Sequence, residues 1–162
     1  MTETKIFARL KADHDRHRDL LDRIDATHGD SEERRYLFEA FRVEVTAHAA
    51  SEEMSLYATM LANPDLRDEA QHSVAEHKEI EDFLTELFEM DFSSTGWLTR
   101  FRTMKDRYLH HIDEEEEEMF PAAEKGLSDA KKRELIVIFE KEKPKEKAKA
   151  VEEEPSSEKA RA

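Results

Sequence analysis

The sequence predicts an all-α protein: an up-down four-helix bundle with a short fifth C-terminal helix and a disordered charged tail. Three observations carry this. Only three glycines and four prolines occur in 162 residues, while charged residues make up 41%; that composition suits long solvent-exposed helices better than a sheet. Long segments between the breaks carry apolar residues at alternating spacings of three and four, the period of a helix facing a bundle core. And the chain repeats its own pattern with an offset of 63 residues, as two similar helical hairpins would.

The breaks come in order. His28-Gly29-Asp30-Ser31 ends the first segment and supplies a serine suited to start the next helix. Asn63-Pro64 is the second break, with Pro64 placed for a first helical turn. Residues 91–95 form the third and Gly126-Leu127-Ser128 the fourth. The segments between them run over about 4–28, 31–62, 64–90, 95–124 and 128–142. The first seam reads Phe7, Leu10, His14, His17, Leu21, Ile24, and the second Phe38, Phe41, Val45, His48, Glu52. The third reads Ala70, Ser73, His77, Ile80, Leu84, Leu87, and the fourth Phe101, Met104, Tyr108, His111, Glu115. The run Leu135-Ile136-Val137-Ile138-Phe139 gives the short fifth helix something to pack. Residues 1–142 therefore read as the bundle domain. Residues 143–162, which offer almost nothing apolar to bury, read as a disordered charged tail.

Composition also narrows the classes of function. The formal net charge of -14 repels nucleic acid and anionic membrane surfaces, so neither is expected as a partner. No cysteine occurs, which removes disulfides, thiolate ligands and cysteine nucleophiles. No apolar run is long enough to cross a bilayer or to serve as a signal peptide, and a cytoplasmic location is expected. Gly-rich phosphate loops, nucleophile elbows and the His-Glu-x-x-His motif are missing as well.

The polar members of the seams carry the chemistry. Histidine and glutamate at core positions lose solvation unless they are paired or bind a metal. His14 pairs with His77, His48 with His111, and Glu52 with Glu115 under the 63-residue repeat, and their apolar neighbours keep the same offset. Each His-x-x-x-Glu, His48 to Glu52 and His111 to Glu115, places an imidazole and a carboxylate one turn apart on one helix face. With one histidine from each remaining helix, six donors converge. The twofold repeat predicts two equivalent half-sites: His14 and His48 on one metal, His77 and His111 on the other, with Glu52 and Glu115 bridging. Imidazole and carboxylate donors without sulfur suit iron, manganese, cobalt or zinc. His17 and Tyr108 share the seam and read as packed residues at the edge of the site, with an extra ligand as the alternative for His17 and a hydrogen bond to a metal-bound oxygen species as the alternative for Tyr108. His28, His72 and His110 read as solvent-facing, as do Glu53 and Glu116.

This pattern resembles the hemerythrin and HHE cation-binding family. The matching features are Asp13-His14, His48-x-x-x-Glu52-Glu53 with Tyr57, Glu76-His77, and His111-x-x-x-Glu115-Glu116 with Phe120-Pro121. They span roughly residues 4–140. The resemblance implies a hemerythrin-like fold and a cofactor of two iron ions with a bridging oxo or hydroxo group, with zinc and manganese as alternatives. Oxygen-carrying members have a fifth histidine, from a His-x-x-x-His pair on the third helix. Here Ser73 stands four residues before His77, which leaves open positions on the metals. The expected function is therefore to bind or react with a small oxidant, namely O2, peroxide or nitric oxide, as in oxidative or nitrosative stress. The alternative is an iron or oxygen sensor, or an iron store, without turnover. A ferritin-like site would need two Glu-x-x-His motifs, and only Glu69 to His72 provides one. A metal-free helical interaction module is the third possibility.

Overall fold

The structure is a computed structural model that describes residues 4–153 and 155. Five helices account for it. Helix α1 spans Lys5–Asp25. Helix α2 runs over 32–61: it is α-helical over Glu32–Glu52 and Ala58–Leu61, with a wider π-helical turn at Glu53–Tyr57 between them. Helix α3 spans Arg67–Glu89. Helix α4 runs over 95–126, with α-helical parts Thr95–Glu114 and Phe120–Gly126 around a second π-helical turn at Glu115–Met119. Helix α5 spans Asp129–Glu152. No strand occurs among the described residues.

Serine caps start three of these helices, the first of them at Ser31 as the sequence suggests. Ser31 accepts from the Arg34 amide, Ser94 from Gly96 and Ser128 from Lys131, each satisfying a donor that has no partner inside the helix. In the first connection Gly29 adopts a φ of 61°, which costs glycine little and other residues more. Pro64 does not open α3. It lies in a turn, and the helix begins at Arg67.

The short connections make sequential helices antiparallel neighbours. Apolar side chains bury in two clusters. One gathers Leu21, Phe41, Leu84, Trp97, Phe101 and Ile112 with their neighbours. The other gathers Phe7, Leu10, Tyr57, Met60, Phe120 and Phe139 with theirs. The histidines and glutamates of the seams lie between the two clusters, so they are sealed from water along the bundle axis. Almost every seam residue named from the sequence is buried, His14 and Glu52 completely; His77 alone is half-buried.

One expectation needs correction. The fifth helix is not short, and the segment from 143 to 152 is helical rather than disordered. It lies along α1 and α2 and is held by charge more than by apolar burial. Lys143 is buried and reaches Asp13 of α1 and Glu44 of α2; Lys147 also reaches Glu44. The Arg42 guanidinium donates to the carbonyls of Ala150 and Glu153, which would otherwise end the helix unpaired. The helix therefore continues through Pro144. Residues 154 and 156–162 of the expected tail lie outside the described residues.

Candidate metal centre

All six predicted donors meet in one place. His14, His48, Glu52 and Glu115 bring ligand atoms within 4.8 Å of one another, and so do His77, His111 and Glu115. The carboxylates span the two halves. Glu115 Oε1 lies 3.3 Å from His14 Nε2, and its Oε2 lies 3.4 Å from His111 Nε2. Glu52 Oε1 lies 3.6 Å from His48 Nε2 and 3.4 Å from His77 Nε2. Donors bonded to one ion at about 2.0–2.2 Å sit about 3–3.5 Å apart, so these separations suit a shared cation better than direct hydrogen bonds.

Five of the atoms that face inward lack partners. His14 Nε2, His48 Nε2, Glu115 Oε1 and both oxygens of Glu52 are buried with no hydrogen bond. Buried polar atoms are normally satisfied, so this concentration at one spot fits a set of cation ligands. In the metal-free protein, protons take the place of the cation. Burial lowers the His14 imidazole, but Glu115 and Glu116 outweigh it and raise its pKa to about 9. Burial likewise lowers the His77 imidazole, but Glu52 and Glu53 outweigh it and raise its pKa to about 10. Burial and the facing charge of Glu52 raise the Glu115 carboxyl, because two buried carboxylates resist sharing one site as anions.

Each outward ring nitrogen faces an acid, and three of the four are hydrogen-bonded to it. His48 Nδ1–H donates to Asp13 at 2.8 Å, and His111 Nδ1–H to Glu76 at 2.9 Å; Asp13 and Glu76 are themselves a 63-residue pair. His14 Nδ1–H donates to Glu116 at 2.6 Å, and His77 Nδ1 faces Glu53 at 3.9 Å. Carboxylates behind histidines fix the tautomer and turn Nε2 toward the metal. Glu116 is therefore not simply solvent-facing, as the sequence suggested, and Glu53 keeps only a looser contact. Asp13 and Glu76 were visible in the sequence as the residues preceding His14 and His77, but their partners lie on other helices.

The π-helical turns explain Tyr57 and Phe120. Tyr57 follows Glu52 by five residues, and Phe120 follows Glu115 by five. That spacing leaves a regular helical face, and one wide turn restores it. Tyr57 then stacks on His77 with centroids 5.1 Å apart, and Phe120 stacks on His14 at 6.0 Å. The Tyr57 hydroxyl also donates to Glu115 Oε2, a bond its repeat partner cannot make. The five-residue step was the signal for this bulge.

His17 and Tyr108 sit beside the six donors and bond to each other. Burial pushes the His17 pKa down to about 3, so its ring is neutral. Its Nδ1 accepts from the Tyr108 hydroxyl at 2.7 Å, and its Nε2–H points to Glu44 at 3.4 Å. Ser73 is buried and bonds weakly to Met119. His72 and His110 are exposed.

Two cavities reach the donors. One of about 560 Å³ lies between α2 and α3 and touches His48, His77 and Tyr108, with Val45, Ile80 and Leu84 on its walls. The other, about 280 Å³, lies between α3 and α4 and touches His111 and Glu115. Asp68, Glu69, Glu114 and Glu118 line the second one, and acidic walls of this kind raise the local concentration of cations.

The hemerythrin HHE cation binding domain matches residues 5–123. The chain belongs to this family. The matched span contains all six inward donors and the four acids behind them, and it ends before α5. A crystal structure of a hemerythrin HHE cation binding domain-containing protein from Mycobacterium kansasii is 27% identical, with a TM-score of 0.78 over 93% of this chain and 91% of that one. No curated protein matches the chain. The family and the cluster of buried histidines and glutamates together support cation binding at this site. No helix among the described residues is long and apolar enough to cross a membrane.

Proposed function

We infer that this protein holds two iron ions between His14, His48, Glu52, His77, His111 and Glu115, and that the pair binds or reacts with O2, peroxide or nitric oxide. The carrying observation is one buried cluster of donors in which His14 Nε2, His48 Nε2, Glu115 Oε1 and both Glu52 oxygens have no partner, with His77 and His111 gathered at the same Glu115. Six protein donors for two ions leave each short of a full octahedral set. Ser73, standing where a further histidine would sit, adds no strong ligand. Iron bound there supplies a redox couple and free positions for a small ligand. The cavity at His48 and His77 offers such a ligand a route in.

The chain's own groups keep protons nearby. Burial, with Glu115 and Glu52, holds the Tyr57 phenol well above its ordinary pKa, so it stays a donor to Glu115. Tyr108 is held protonated in the same way and donates to His17. The second reading, an iron sensor or store without turnover, draws on the acidic cavity at His111 and Glu115, which suits passage of a cation.

Iron loading followed by azide titration and a peroxide-consumption assay separates these readings. Azide-dependent spectral changes with peroxide consumption support the reactive site. Iron binding with azide sensitivity and no turnover of peroxide, O2 or nitric oxide supports the sensor or store. Failure of azide to perturb the spectrum contradicts open positions.

A further inference from the structure

The four acids behind the histidines follow the twofold repeat, but the groups behind those acids do not. Asp13, which orients His48, is buried and surrounded by cations. Its Oδ1 takes Lys143 Nζ at 2.8 Å and Arg9 Nη1 at 2.5 Å, while its Oδ2 is left for His48 Nδ1. Lys143 is itself buried and also meets Glu44 at 3.0 Å. Glu76, the counterpart of Asp13, is part-exposed, and the nearest further group is the exposed His72 at 3.4 Å. The lysine arrives from α5, the helix that the family match does not include.

We propose that Lys143 is a positioning residue for the metal centre: it fixes Asp13 so that one carboxylate oxygen stays aimed at His48 and the His48 Nε2 stays aimed at the cations. Three features of the geometry support this. The lysine and His48 occupy different oxygens of the same carboxylate, so they do not compete. With the ammonium removed, the part-exposed Arg9 is the one Lys or Arg among the described residues still paired with this buried carboxylate, and a carboxylate so placed gains by turning toward water. Finally, Glu44 binds both Lys143 and His17, so the same ammonium settles the acid behind a second histidine. The helix α5 is on this view part of the metal centre, acting on the His14–His48 half and leaving the His77–His111 half alone. This inference rests on the metal reading given above.

The test uses the full chain, with Lys143→Met to keep the methylene packing and Lys143→Arg to keep the charge. Cobalt(II) serves as probe, with stoichiometry from elemental analysis and the two sites followed by their absorption bands. In wild type two ions should bind. In Lys143→Met, one of the two should bind about 10–100-fold more weakly, the usual cost of losing a group behind a metal ligand, while the other is unchanged. Lys143→Arg should restore most of the loss. In the metal-free protein, the His48 Nδ1–H proton resonance should broaden or shift in Lys143→Met, while that of His111 holds. Combining Lys143→Met with Asp13→Asn should cost little beyond Asp13→Asn alone. Wild type that binds no cobalt defeats the metal reading. Wild type that binds two, beside a Lys143→Met protein with the same affinities and the same His48 signal, defeats the role of Lys143. Additive losses in the double variant, or loss of helicity on Lys143→Met, would also overturn it, since the lysine would then be supporting the bundle and not the imidazole.

Discussion

The two halves of the centre share their donors and differ in what surrounds them. In the His14–His48 half, the acids behind the rings are Asp13 and Glu116, backed by Arg9, Lys143 and Arg18. In the His77–His111 half they are Glu53, the most exposed of the four, and Glu76, exposed to the same degree as Glu116, and among the described residues neither meets a buried lysine or arginine. Phe120 stacks on one half; Tyr57 stacks on the other and adds a hydroxyl to the bridging Glu115. His17 beside the first half corresponds to Ile80 beside the second. The repeat thus preserved the ligands while one half became sealed and charge-locked and the other stayed close to solvent. The two cavities also meet the donors unevenly: His48 and His77 line the larger one, and His111 lines the smaller.

The largest effect is expected from removing a carboxylate shared by both halves. Glu115→Ala deletes the one residue common to both donor groups, so bound metal should fall from two ions per chain to below one by elemental analysis. The stabilisation conferred by metal should fall with it, seen as a thermal midpoint that no longer responds to chelator. Retention of two ions would mean that the halves are independent sites.

Next comes the contrast between Asp13→Asn and Glu76→Gln. Asp13→Asn leaves buried Lys143 without its closest counter-charge, and breaking a buried pair of this kind costs about 3–5 kcal/mol. Glu76→Gln should change stability by well under that amount, because its neighbourhood is wet. Each should weaken one ion about 10–100-fold. Equal losses of stability in denaturant melts would erase the distinction between a locked and an open half.

The bundle and the six donors were legible in the sequence because both follow from periodicity. The seams of three and four fix which faces are buried, and His14, His48, Glu52, His77, His111 and Glu115 fall on those faces with a common offset. What escaped had different physics. The extension of α5 depends on ion pairs from Lys143 and Lys147 to Glu44 and on Arg42 capping the far end, whereas the sequence reading weighed apolar burial. Glu116 reads as one of a run of exposed acids, and only the packing of α1 against α4 reveals that it meets His14. The wide turns were encoded in the five-residue steps to Tyr57 and Phe120, a departure from helical spacing that became meaningful once the rings were seen stacked.

The metal-free protein should also respond to pH in a set direction. His14 and His77 have pKa values raised from 6.5 to about 9 and about 10. Their protonation stabilises the fold fully below about pH 6.5 and is lost as pH rises through 9 to 10. The thermal midpoint of the metal-free protein should therefore decline from pH 7 to pH 10. That of the loaded protein should hold over the same range, because a cation replaces the protons. Uptake of metal at pH 7 should release protons, measurable by calorimetry in buffers of different ionisation enthalpy. The smallest effect is expected from Tyr57→Phe, which makes the halves more alike. Loss of a hydrogen bond to a carboxylate should cost about 1.5–3 kcal/mol at most, with both ions retained and a shift in the metal spectrum.

The measurement that bears most directly on the centre is anomalous diffraction from crystals of the iron-loaded protein, recorded on either side of the iron absorption edge. Two peaks about 3.5–4 Å apart are expected between the Nε2 atoms of His14 and His48 on one side and those of His77 and His111 on the other, with Glu52 and Glu115 between them. A single peak, or peaks confined to the exposed group of His72, Glu76 and Glu114, would contradict a pair of cations held at the heart of the bundle.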